Sequence, residues 1–395
     1  MFAFNIWHLV KGGFEFGPLL VWPLLLLLAV RPLKLGRVAS VALGLILLFA
    51  TQKFLIYRIF GGDSFVPDLP ERFVNITGWT YSSSMVFFAF VCVWTLAKKL
   101  LPALGTVARD RAVLTLLAAA ALGIAGWGVW SGVRVPDVHR IEIAVEDLPA
   151  AFDGFRIVQL TDLHCSSAAR RARTQGIVDQ VNALEPDLVC ITGDFVDGTP
   201  GMRADDLAPL GALRARHGVY GCAGNHEYIH SYAAWRAVYA SLGIEMLDNA
   251  HRVIEKGGAR LALGGVTDPA AKWKKVPGQE FPNVKKAFAG APADACRILM
   301  QHRPMLPRLN VEAGVRLQLT GHTHGGAIRG LDLLVAHMGN HGFVRGLYRV
   351  GPMAVYVCPG TGQWAGFPLR LGVPAEITEI VLRAPVTGRS RSDPV

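Results

Sequence analysis

The sequence predicts an α/β domain carried behind an N-terminal region of about four membrane-crossing helices. Three observations predict it. Residues 1–135 hold long apolar runs, after which short β-rich segments alternate with helical ones. The ends of those β-rich segments repeatedly deliver Asp, His, Asn or Glu. Apolar residues make up 51% of the 395 and charged residues only 18%. Soluble domains carry about a quarter charged, so the deficit excludes a disordered or highly solvated chain.

The helices come first. Residues 73–97 and 112–133 form runs of 25 and 22 residues without a charge, and about 20 apolar residues suffice to cross the hydrocarbon core. Residues 16–30 and 38–52 are shorter. The second of these extends if Lys53 snorkels to the interface, and the first contains Pro18 and Pro23, which a bundle tolerates. A cleaved signal peptide needs a small-residue site after its apolar core. Arg31-Pro32-Leu33-Lys34 follows instead. The net charge of +10 belongs mostly to this region, which holds 12 Lys and Arg against 5 Asp and Glu. It is therefore no nucleic-acid footprint. Seven basic residues flank one face of the spans and five the other. Positive loops prefer the cytoplasm, which places residue 136 onward outside it, in a bacterial inner or plasma membrane.

Pro136 marks the change of pattern. Strands are expected at 155–160 (FRIVQL), 187–192 (DLVCIT), 219–223 (VYGCA), 261–266, 297–301, 315–320, 354–358 and 376–382, with helices at 170–184 and 232–242. Short apolar runs between helical patterns argue for an α/β domain. Its bounds are 136–385, with a polar tail over 386–395. The six cysteines form no C-x-x-C pair, which argues against a zinc ribbon or thioredoxin-type site. They read as small buried hydrophobes.

The strand ends carry the chemistry. FRIVQL runs into Thr161-Asp162-Leu163-His164, and DLVCIT into Gly193-Asp194-Phe195-Val196-Asp197. VYGCA runs into Gly224-Asn225-His226-Glu227. The next two strands run into His302 and into Gly321-His322-Thr323-His324-Gly325-Gly326. In α/β sheets, ligands collect at the carboxyl ends of strands. Each motif alone serves equally as a turn. Together they supply oxygen and imidazole donors without thiolate, which suits Mn, Fe, Zn or Mg.

D-x-H, GD-x-x-D, GNHE, His and GHTH in this order resemble the calcineurin-like metallophosphoesterases, over about 141–382. The apolar front end, GHTHGG and the later GTGQWAGFPLRLG stretch are similar to transmembrane members of the YkuE/YaeI type. The resemblance implies two stacked mixed β-sheets flanked by helices, and two divalent metal ions. It implies Asp162, His164 and His324 on the first metal, Asn225, His302 and His322 on the second, and Asp194 bridging both. His226 would stand beside the scissile phosphate as proton donor or charge stabiliser. Metal-bound hydroxide would attack phosphorus in line. Asp197 and Glu227 are candidate acceptors for ligand imidazoles, with loop solvation the alternative. GDFVD has no Tyr in the second motif, so no coloured Fe(III)–tyrosinate centre is expected. Soluble UDP-2,3-diacylglucosamine hydrolases typically carry Arg where His226 stands.

Beyond the metals, residues 265–290 hold Lys272, Lys274, Lys275, Lys285 and Lys286 with Trp273 and Phe281, a phosphate-meeting flap or a solvated loop. Arg345 is the first candidate for a second phosphate. Trp364 is either a pocket wall or a membrane-interface anchor. Few charges lie inside the spans, which disfavours a transport path. Every ligand position is filled, which disfavours a non-catalytic binding protein. The expected function is a membrane-anchored phosphodiester or pyrophosphate hydrolase. Its partners are membrane lipids and a phosphorylated, lipid-linked substrate, with UDP-2,3-diacylglucosamine of lipid A synthesis as the concrete alternative.

Overall fold

A computed structural model describes residues 2–385 apart from 275, 277, 338 and 339, leaving aside the side chains of residues 2–11 and 14. The polar tail over 386–395 and Lys275 lie outside the described residues. The chain divides into two compact units. One holds the residues up to Arg134 with Ser166–Arg170 and Trp364–Leu371. The other holds Val135–Cys165, Arg171–Gln363 and the chain from Gly372 on.

The first unit contains α1 (Phe2–Leu25), α2 (Arg37–Thr51), α3 (Lys53–Gly61), α4 (Glu71–Leu100) and α5 (Val107–Val133). Glu15–Leu33, Glu71–Leu100 and Val107–Val133 are long and apolar enough to cross a bilayer. Helices α2 and α3, bent by 69° at their junction, make a fourth crossing if they count as one span. The expected count of four thus becomes three or four, because the second run breaks at Gln52. The break also corrects the expectation for Lys53, which does not snorkel. Its residue is 1% exposed, and Nζ donates to Ala365 O at 2.8 Å and Gly366 O at 3.2 Å. The rings of Phe54 and Tyr81 lie 4.3 and 5.0 Å from it. The ammonium finds carbonyls inside the unit, so it has no need of an interface. Thr77 and Tyr57 solve the same problem together. Thr77 Oγ1 donates to Tyr57 Oη, which donates to Val74 O. Cys92 is another correction: it is exposed on α4, while the other five cysteines are buried.

The second unit is built on strands β1 (Asp137–Ala144), β2 (Arg156–Leu160), β3 (Leu188–Thr192), β4 (Val219–Cys222), β5 (Ile244–Met246), β6 (Ala250–Lys256), β7 (Ala259–Gly265), β8 (Cys296–Met300), β9 (Val315–Thr320), β10 (Gly346–Val350), β11 (Met353–Val357) and β12 (Glu376–Arg383). They form two six-stranded sheets, ordered β1-β12-β2-β3-β4-β5 and β10-β11-β9-β8-β7-β6. Both are mixed: β12 is antiparallel to β2, β10 to β11 and β6 to β7, and the remaining pairs are parallel. Helices α6 (Arg171–Ala183), α7 (Pro200–Leu207), α8 (Asn225–Ile229) and α9 (Tyr232–Ser241) follow β2, β3 and β4.

Successive strand residues point to opposite faces. Ile157 and Cys190 join Ile298, Leu319 and Tyr356 in a core shared by both sheets. Val158 and Val189 pack on the other face with Ile177 and Val181 of α6 and with Trp235 and Tyr239 of α9. Strands buried on both faces read as continuous apolar runs. The eight strands expected from sequence are the interior ones. The four that sequence misses, β1, β5, β6 and β10, are the four sheet edges. Of the edge strands, β1 is mostly exposed and β10 half-buried, and neither carries an apolar run.

Candidate metal centre

Five interior strands deliver the candidate residues at their carboxyl ends. Leaving the ladder within one or two residues demands unusual backbone. Asp162, His164, Asp194, His322 and His324 all have positive φ, between 43° and 71°. Non-glycine residues rarely adopt that region, and such strain gathers at functional sites. Glycines beside them give room. A Cβ on Gly224 would strike the Asp194 carboxylate, and one on Gly321 would strike the Asp162 carboxylate.

The side chains converge in two groups. Asp162, His164 and His324 bring one ligand atom each within 4.8 Å of one another, as do Asp194, His302 and His322. His164 Nε2 lies 3.0 Å from His324 Nε2, and His302 Nε2 lies 3.2 Å from His322 Nδ1. Asp194 Oδ2 stands 3.2 Å from His302 Nε2 and 3.7 Å from His164 Nε2, so it reaches both groups. Its other oxygen accepts from His226 N at 2.9 Å.

These residues fit divalent cations. His302 Nδ1 lies 2.8 Å from Thr192 O. A carbonyl only accepts, so Nδ1 carries a proton, which leaves Nε2 as the ring's candidate ligand atom. His164 does the same against Asp197 Oδ1, at 3.2 Å. Ring nitrogens that face each other at 3.0 and 3.2 Å share a proton when one of them carries it and can share a cation when neither does. Two buried oxygens, Asp162 Oδ1 and Asn225 Oδ1, have no hydrogen-bond partner, a costly arrangement unless another ligand takes them.

The electrostatics agree. Burial raises Asp194, yet His302 and His226 outweigh it and hold its carboxyl well below the ordinary range. Burial lowers His226, but Asp194 and Asp197 lift it to about 9. Burial lowers His302 too, and Asp194 lifts it to about 10. A cluster that draws protons this strongly draws metal cations for the same reason. His322 goes the other way: burial first, then the positive charge of Arg303, push it well below its usual value.

The remaining expected residues fall in several places. Asp197 Oδ1 is 2.5 Å from His226 Nδ1 as well as 3.2 Å from His164 Nδ1, so one buried carboxylate orients two rings. Glu227 orients no imidazole. Its carboxylate accepts from the backbone N–H groups of Asp194, Phe195 and Gly224 at 2.7–3.0 Å and clamps two ligand loops together. Burial and the neighbouring Asp194 raise it to about 7. Arg345 is committed elsewhere, to Asp332 Oδ2 at 2.5 Å and Gly325 O at 2.8 Å, and braces the glycine turn after His324. Trp364 belongs to the first unit, where it stacks on Phe65 with ring centroids 5.6 Å apart.

Sequence reasoning missed four contributors. Thr161 Oγ1 donates to Asp162 Oδ2, and the carbonyl of Thr192 fixes His302. Both are the last polar residue of a buried run, which was the available signal. His230, four residues after His226, joins Asp197 and His226 in a further cluster. Arg303 follows His302 and reaches His322 Nε2 at 3.2 Å.

Two mixed sheets whose strand ends gather carboxylates and imidazoles in pairs define a metal-dependent hydrolase of phosphate esters. Comparison with known proteins gives the family. Residues 155–326 match the calcineurin-like phosphoesterases. The chain is 35% identical to a zebrafish (Danio rerio) protein named "transmembrane protein with metallophosphoesterase domain", over 76% of this chain and 70% of that one. It is 33% identical to an uncharacterized metallophosphoesterase of Helicobacter pylori, over 67% of this chain and 68% of the other. It is 27% identical to the uncharacterized metallophosphoesterase YkuE of Bacillus subtilis, over 68% and 94%. The chain belongs to the calcineurin-like phosphoesterase family, as its transmembrane relatives do, and is a phosphoesterase.

Proposed function

We propose that this chain is a membrane-anchored phosphohydrolase working with two divalent cations on a phosphodiester or pyrophosphate bond of a lipid-linked substrate. The observation that carries the reading is the convergence of Asp162, His164 and His324 and of Asp194, His302 and His322, with Asp162 Oδ1 buried and without a hydrogen-bond partner; Asn225 Oδ1, after β4, is left in the same state. Asp162, His164 and His324 hold one cation. Asn225, His302 and His322 hold the other, and Asp194 serves both. Mn, Fe, Zn or Mg bound there supplies Lewis acidity and water of lowered pKa.

The chain's own residues do the rest. Asp197 accepts from His226 Nδ1 and stabilises the charged ring. His226 Nε2, 4.0 Å from Asp194 Oδ2, is then the atom that gives a proton to the departing alkoxide. Glu227 holds the Asp194 and Gly224 loops in register. The apolar helices keep the enzyme in the bilayer, where a lipid-linked substrate is concentrated. The basic-loop count favours a catalytic domain outside the cytoplasm of a bacterial-type inner membrane, and so an envelope phosphodiester. Pyrophosphate cleavage in UDP-2,3-diacylglucosamine requires the opposite face.

The test is UMP release from UDP-2,3-diacylglucosamine by the full chain in detergent with Mn²⁺, beside a generic phosphodiester and an Asp194→Ala control. Cleavage of the diester alone supports the envelope reading, and UMP release replaces it with the lipid A step. Cleavage of either substrate by Asp194→Ala at the normal rate removes the dinuclear reading.

A further inference from the structure

Arg303 has not yet been given a task. It leaves β8 one residue after His302, and its side chain is 22% exposed. Nε donates to Asp268 Oδ2 at 2.8 Å. Asp268 is itself buried, and its other oxygen accepts from Ala270 N at 2.8 Å. The guanidinium lies over the ring of Trp273, 5.5 Å from its centroid, and Trp273 is half exposed. Nη1 lies 3.2 Å from His322 Nε2. Among the described residues no hydrogen bond occupies Nη2.

The chemistry of this arrangement is specific. A permanent cation is clamped one imidazole's width from the half-site made by His302 and His322. A guanidinium only donates hydrogen bonds and does not shed its charge. Beside an incoming divalent metal it is repulsive, and Asp268 offsets that only in part. A phosphate oxyanion changes the sign, since it attracts both the metal and the guanidinium's free N–H fork. Asp268 and Trp273 hold the fork in place without using Nη2. An arginine serving only to neutralise Asp268 has no reason to lie against a ligand imidazole.

We infer that Arg303, aimed by Asp268 and Trp273, is a phosphate-binding residue that couples substrate occupancy to metal affinity at the His302–His322 half-site. The inference rests on the dinuclear reading above and names a substrate contact within it. Coupling is reciprocal: if phosphate tightens the metal, the metal tightens phosphate by the same factor.

The experiment is a Mn²⁺ titration of the full chain in detergent by calorimetry, with and without inorganic phosphate. It compares wild type, Arg303→Met and Arg303→Lys. In wild type, phosphate tightens the weaker Mn²⁺ by roughly 5-fold or more, the lower end of ordinary coupling. In Arg303→Met that Mn²⁺ binds more tightly without phosphate, and the phosphate effect collapses. Arg303→Lys retains part of it, which also guards against misfolding of the methionine variant. An equal phosphate effect in wild type and Arg303→Met overturns the inference and leaves the dinuclear reading standing. Fewer than two Mn²⁺ per wild-type chain, even with phosphate, overturns both.

Discussion

The two units differ in where their buried polar groups converge. In the helical unit, Lys53 lies on the carbonyls of Ala365 and Gly366, and Thr77 and Tyr57 hand a hydrogen-bond chain to Val74 O. Lys98 and Trp94 share Asp110 Oδ1 at 2.8 Å each. Hydrocarbon offers no water, so such groups must be satisfied within the protein. In the sheet unit, Asp162 Oδ1 and Asn225 Oδ1 are left without partners. Five candidate ligands there also sit in strained left-handed backbone. The first region spends most of these side chains on closure, although Gln52 Oε1 and Thr95 Oγ1 also lack a hydrogen-bond partner among the described residues; neither belongs to a converging group of carboxylates and imidazoles. The second holds strain and bare acceptors together at the site proposed to take cations. Buried polarity alone therefore does not mark a site; buried polarity that converges and stays unsatisfied does.

That contrast can be broken, and the largest effect comes first. Asp194→Ala removes the one carboxylate that reaches both groups. Hydrolysis should fall to background, with less than two metals per chain by elemental analysis. Next is His226→Ala, which should keep both metals and lose roughly 10²–10⁴ in rate, the range for a general acid. If that variant loses metal instead, His226 belongs among the ligands. Asp197→Asn comes third. It disturbs the rings of His164 and His226 together, and should cost about 10–100-fold in metal affinity or activity. Calorimetry on Asp197→Asn and activity on the same sample would show which of the two rings matters more.

The smallest effect probes the other region. Lys53→Met leaves the Ala365 and Gly366 carbonyls without their donor. Each buried unsatisfied acceptor costs about 1–3 kcal/mol. A lower melting temperature in detergent, with unchanged metal content, is the expected result. Loss of metal from Lys53→Met, with the melting temperature unchanged, would erase the distinction between a region built for closure and one built for ligands.

Much of this was legible in the residues. The unbroken apolar runs of α4 and α5 could only be helices suited to lipid. The eight interior strands announced themselves because both of their faces are buried. Asp162, His164, Asp194, Asn225, His302, His322 and His324 could be named as candidates because each follows such a run. The four edge strands could not, since an edge is half solvated and its sequence resembles a loop. Nor could the break at Gln52. Lys53 looked like the end of a span until its ammonium was found on two carbonyls more than 300 residues away.

Sequence by itself determined which residue types stand at the strand ends and in what order, because local hydropathy and strand period are properties of short segments. Only the tertiary structure decided what each of them does. Glu227 turned out to bind backbone amides, Asp197 to hold two rings, and Arg345 to brace a turn. Arg303, which no local pattern singles out, came to rest against His322. Those assignments depend on distances between residues as many as 33 positions apart, and a hydrogen bond between separate segments exists only once the fold has brought them within about 3 Å.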